Sequence, residues 1–96
     1  MKANYETIVC KNGFSMSVQA SRTNYCSPRD DMGPYSQVEI GFPSKREELI
    51  IEWAEDPGDP TETVYGYVPS EIVWDVILKN GGYAGGELPP LIIGGP

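Results

Sequence analysis

Histidine is missing from this 96-residue sequence, cysteine occurs twice, and seven Lys and Arg face 14 Asp and Glu. Without imidazole there is no His-based catalytic triad and no histidine metal ligand. Two cysteines alone cannot complete a four-ligand zinc site. A net charge of −7 works against non-specific phosphate binding, which needs Lys and Arg to displace counterions. Long hydrophobic runs are missing too: the apolar stretches 72–78 and 88–93 are broken by Asp75 and by Pro89-Pro90, far short of the ~20 residues of a membrane span. The N-terminal MKANYETIVC carries one Lys, and the apolar core of a secretory signal does not follow it. Cys10 and Cys26 can form one disulfide or both stay reduced. So sparse a pair is unlike a secreted disulfide scaffold, and a cytoplasmic location is expected.

The chain has room for one domain. Residues 5–10 are rich in Thr, Ile and Val, and residues 14–20 alternate strictly, with Phe14, Met16, Val18 and Ala20 on one side. Asn12-Gly13 between them reads as a two-residue hairpin turn. That turn sets Val9 opposite Met16, Thr7 opposite Val18 and Tyr5 opposite Ala20. A polar loop, 21–35, leads to a third strand, 37–42, with Val38, Ile40 and Phe42 on one face. Ser44 and Glu47 read as a capping box for a short helix near 45–54, where Leu49, Ile50 and Trp53 fit helical spacing, although Leu-Ile-Ile also fits an extended segment. A fourth strand, 63–68, places Val64, Gly66 and Val68 on one face, Tyr65 and Tyr67 on the other.

The main helix is expected over 70–80. Ser70 is its N-cap, Asn80-Gly81-Gly82 its C-terminal stop, and Ile72, Val73, Val76 and Ile77 its core stripe. Asp75 and Lys79 are spaced for an i,i+4 pair. The fold class is thus α+β: about four mostly antiparallel strands, helix 70–80 across one face, and a short helix near 45–54. Residues 1–82 form the domain and 83–96 a Gly/Pro-rich C-terminal arm, whose Leu88, Leu91, Ile92 and Ile93 can cover Trp74 and Leu78.

Charge is unevenly distributed. Residues 1–48 carry six basic and six acidic side chains, whereas 49–96 carry eight acidic and one basic. Between Arg46 and Lys79 stand nine carboxylates and no cation: Glu47, Glu48, Glu52, Glu55, Asp56, Asp59, Glu62, Glu71 and Asp75. Such a block either solubilises the chain or steers it to a basic surface. The expected partner-binding residues are Glu52, Glu55, Asp56, Asp59 and Glu62. The EDPGDP string at 55–60 lacks the ligand spacing of a calcium-binding EF-hand loop, so no metal or cofactor is expected. No catalytic residue is expected either. Cys26 and Ser27 have no histidine base, and Asp30 and Asp31 counteract any activation of Cys26 by Arg29.

The strings Phe14-Ser-Met-Ser-Val-Gln-Ala-Ser21, Tyr25-Cys-Ser-Pro-Arg29, Gly33-Pro-Tyr35 with Val38-Glu-Ile-Gly-Phe-Pro-Ser44, and Val64-Tyr-Gly-Tyr-Val-Pro69 resemble those of a group of small phage and metagenomic proteins. The resemblance implies a viral setting, in the cytoplasm of the host cell, and an accessory protein acting on host machinery. It brings no catalytic residues with it. Three functional readings follow. The first is a non-enzymatic binder of a basic protein surface, inhibiting a nucleic-acid-binding host protein. The second is a small-molecule binder using the 21–35 loop, with Tyr25, Arg29, Tyr65 and Tyr67, and Trp53 beside them. The third is a homo-oligomeric structural subunit assembled through Trp74, Leu78 and the arm.

Overall fold

Asn12 and Gly13 turn the chain as part of a three-residue loop, in a computed structural model that describes residues 4–92. Cys10 N donates to Phe14 O at 2.8 Å and Gly13 N to Cys10 O at 2.9 Å. Gly13, at φ +93°, supplies the left-handed residue that such a loop needs. The strands β1 (Ile8–Cys10) and β2 (Ser15–Gln19) therefore pair Ile8 with Met16 and Val9 with Ser15. This is one residue away from the register expected for a two-residue turn. Since side chains alternate with period two, the shift turns Ile8 and Cys10 inward and Val9 outward.

Three more strands complete an antiparallel sheet: β3 (Gln37–Gly41), β4 (Val64–Pro69) and β5 (Tyr83–Gly85). Their order is β4-β3-β2-β1-β5, so five strands stand where about four were expected. The additional one, β5, comes from the segment read as an arm and pairs with β1. The tail beyond it is held as well: Tyr35 N donates to Pro90 O and Ile92 N to Tyr35 O, both at 2.8 Å. Leu88 and Leu91 pack against the core. Leu78 stays 70% exposed, so the expected cover over it is missing from the described residues, and Ile93 lies outside them.

The helix α1 (Ser70–Lys79) links β4 at one edge of the sheet to β5 at the other. Four inter-strand spacings amount to ~19 Å. Ten helical residues cover ~15 Å, and the Asn80–Gly82 turn completes the crossing. Val73, Val76 and Ile77 are buried against the sheet. Pro69 stands at the N-cap rather than Ser70, whose hydroxyl donates to Tyr35 O at 2.7 Å instead of capping. Gly81 N bonds to Leu78 O and Gly82 N to Ile77 O, a Schellman closure. Lys79 pairs with Glu47 at 2.6 Å rather than with Asp75.

The short helix near 45–54 is reduced to a 3-10 turn at Ile51–Trp53. Ile50 N bonds to Glu47 O and Trp53 N to Ile50 O, and this three-residue spacing aligns Ile50 and Trp53 on one side. The capping box does not form, because Ser44 Oγ accepts from Ser15 N at 3.0 Å and Glu47 turns inward. Phe42, placed in the core by alternation, is 59% exposed at φ 49°; the strand has ended at Gly41.

Candidate functional site

Strand β4 breaks its own alternation, and the site follows from that break. Val38 pairs with Val68 but Ile40 with Tyr65, so two residues of β3 span three of β4. Such a bulge leaves one extra residue on the longer strand. Tyr67 sits there at φ 56°, and its N–H donates to Tyr25 O at 3.0 Å. Tyr65 and Val68 then both face the core, while Tyr67 is turned out and 41% exposed.

Tyr25 lies over Gly66, where an added Cβ would come within 3.2 Å of Tyr25 Cβ. A side chain at this position would require Tyr25 to shift by a few tenths of an ångström. The Tyr25 and Tyr67 rings stand 6.0 Å apart, tilted by 33°. Arg29 places its guanidinium carbon 5.6 Å from the Tyr25 centroid and donates through Nε to Asn24 O at 3.1 Å. Glu39 accepts from Tyr25 N at 3.0 Å, fixing the 21–35 loop to the outer face of β3. Trp53, Ala54, Glu55 and Gly66 join the two tyrosines around a groove of about 290 Å³. Three of the four residues expected to hold a ligand, Tyr25, Arg29 and Tyr67, thus come together. Tyr65 does not join them: it is fully buried, and burial pushes its phenol above the usual range.

The acidic connector begins where this groove ends. Ala54 bridges to Tyr65, Glu55 N donates to Val64 O at 2.9 Å, and Asp56 N to Thr63 Oγ1 at 3.0 Å. Asp59 N bonds to Asp56 O and Glu62 N to Asp59 O, each at 3.0 Å. From within the core the Tyr65 hydroxyl reaches Pro60 O at 2.5 Å. The loop is therefore a chain of turns tied down at both ends and in the middle. Glu55, Asp56, Asp59 and Glu62 are exposed along it and Glu52 on the 3-10 turn that precedes it, and among the described residues none of the five makes an ion pair.

The remaining carboxylates of the nine have other settings. Glu47 is buried, and Glu48 pairs with Arg46 at 2.6 Å. Glu71 and Asp75 lie on the exposed side of α1. Burial alone would raise the Glu47 carboxyl, but hydrogen bonds from Lys79, Leu49 N and Asn80 outweigh it and hold the group below its ordinary value. Both cysteines are free and buried. Burial pushes the Cys26 thiol up, against the smaller opposing effects of a hydrogen bond to the Ser21 backbone and of Arg29, so the electrostatics do not favour a nucleophile. A second groove is lined by Trp74, Tyr83, Gly86, Glu87 and Leu88; the Trp74 Nε1 is buried and lacks a hydrogen-bond partner among the described residues.

Composition points to the acidic loop, and of the two tyrosines expected beside Trp53, Tyr67 lines the groove with it and the buried Tyr65 does not. Plain alternation puts Gly66 on the face of Val64 and Val68 and gives it no role of its own. An isolated glycine inside a strand pattern signals a bulge or a close approach, and here it marks both. No cluster of metal-binding side chains occurs among the described residues, and no helix there is long and apolar enough to cross a membrane. Comparison of the chain with models of known families, with curated proteins and with solved structures finds no match.

Proposed function

We propose that this α+β protein is a non-enzymatic acidic accessory protein that binds a basic protein surface through the loop 52–62. The observation that carries the reading is the set of five exposed carboxylates, without internal cations, on a loop held by successive turns. A preformed array of one sign steers association through its long-range field and loses little conformational freedom on docking. The resemblance to small phage proteins extends the proposal to a host protein whose basic nucleic-acid groove the loop occupies. Two free buried thiols suit the reducing cytoplasm in which such a partner would be met.

Capture of basic proteins from cell lysate, at low and at high salt, tests the proposal. The wild-type chain should retain them at low salt and release them at high salt. The combined change Glu52→Gln, Glu55→Gln, Asp56→Asn and Asp59→Asn should weaken retention by at least about tenfold. Full retention by that variant would show the reading to be wrong.

A further inference from the structure

We propose that the groove between Trp53 and the Tyr25–Tyr67 pair receives an arginine side chain of the basic partner, with Glu55 as its counter-ion. The inference rests on the acidic-loop reading and names what anchors it. Charge alone gives an adaptable, weakly specific surface; a desolvated cation on aromatic faces gives a fixed point.

Three observations point to a cation. The groove wall combines an indole and two phenol rings with a single carboxylate, and aromatic faces attract cations through their quadrupole. The adjoining loop adds Glu52, Asp56, Asp59 and Glu62, all exposed, so an anion would be repelled from the same place. The molecule also shows the pairing internally. Arg29 already stands over the Tyr25 ring without lining the groove, and among the described residues Trp53 and Tyr67 have no such cation.

Arginine fits better than lysine. Its guanidinium is planar, weakly hydrated and able to stack on a ring while forking two N–H bonds to a carboxylate, whereas an ammonium is a strongly hydrated point charge. The backbone that carries the two tyrosines is also fixed before binding. Tyr67 is held by the bulge and by its N–H bond to Tyr25 O, and Tyr25 rests on Gly66. Exposed rings so placed need little reordering when a guanidinium arrives.

The test uses labelled hexa-arginine and hexa-lysine peptides, equal in side-chain charge, at one low salt concentration. The full chain should bind hexa-arginine about tenfold more tightly and change its tryptophan emission on doing so. Tyr67→Asn, which keeps a residue tolerant of positive φ, should bring hexa-arginine to the hexa-lysine level and leave hexa-lysine unchanged. Glu52→Gln, Asp56→Asn, Asp59→Asn and Glu62→Gln together should weaken both peptides. Equal wild-type affinities, or a preference that survives in Tyr67→Asn, would overturn the groove while leaving the acidic loop standing. If neither peptide binds the wild type, both readings fall. The wild-type comparison decides the matter even if the Tyr67 variant does not fold.

Discussion

Tyr65→Ala should cost about 4 kcal/mol of unfolding free energy, within the range for deleting a fully buried aromatic ring. The ring is completely enclosed in the core, and its hydroxyl holds Pro60 O in the middle of the acidic loop. Tyr65→Phe separates the two contributions. It keeps the packing and should lose only about 1 kcal/mol, the net worth of one hydrogen bond, while amide exchange across 56–62 quickens. Urea unfolding followed by fluorescence measures both. A Tyr65→Ala variant as stable as the wild type would mean that the side chain is not in the core, and the bulge in β4 would fall with it.

The second large effect concerns Glu47. Its side chain is 2% exposed and accepts from Lys79 Nζ at 2.6 Å, Leu49 N at 3.0 Å and Asn80 Nδ2 at 3.2 Å. Asn80 in turn accepts from Asn12 Nδ2 at 2.9 Å, so the carboxylate joins the end of α1 to the β1–β2 turn. Glu47→Ala leaves Leu49 N without its acceptor and Asn80 Nδ2 with Val76 O alone, and we expect a loss of about 3 kcal/mol. Lys79, half-exposed, would turn to water and adds little to that figure.

The pH dependence has a definite sign. Because the folded carboxyl lies below its ordinary value of 4.5, the contribution is complete above about pH 6 and fades as pH falls through 4.5 and below. The stability gap between wild type and Glu47→Gln should therefore be widest near neutrality and narrow in acid. A gap that widens in acid would contradict the assignment of Glu47 as the ionised acceptor.

These two residues also show what can be read from the chain and what cannot. The periodicity and stop signals of α1 are local, and the helix appears within a residue of where they place it. In the hairpin, Asn12-Gly13 fits a two-residue turn and the end of a three-residue loop equally well. The choice is made by which side of β1 the core accepts: Ile8 and Cys10 bury more apolar surface than Tyr5, Thr7 and Val9 could. Alternation puts Tyr65 on the outer face with Tyr67 because it assumes an unbroken strand, and the bulge at Tyr67 adds one residue. Glu47 reads as the capping-box partner of Ser44 at the head of an acidic run; only the fold brings Lys79 and Asn80 to it. Strand β5 has no pattern of its own in Tyr83-Ala84-Gly85, and its pairing is decided by the open edge of β1. The candidate site was legible in its charges and aromatics, but their meeting at one groove depends on a long-range contact between Tyr25 and Gly66.

The most direct measurement is an amide NMR titration of the full chain with a basic peptide, read residue by residue. The account predicts that shifts concentrate in the loop 52–62, at Gly66 and Tyr67, and at Tyr25, and that added salt reverses them. Shifts centred instead on Glu71 and Asp75 of α1, or spread evenly over all carboxylates, would contradict it.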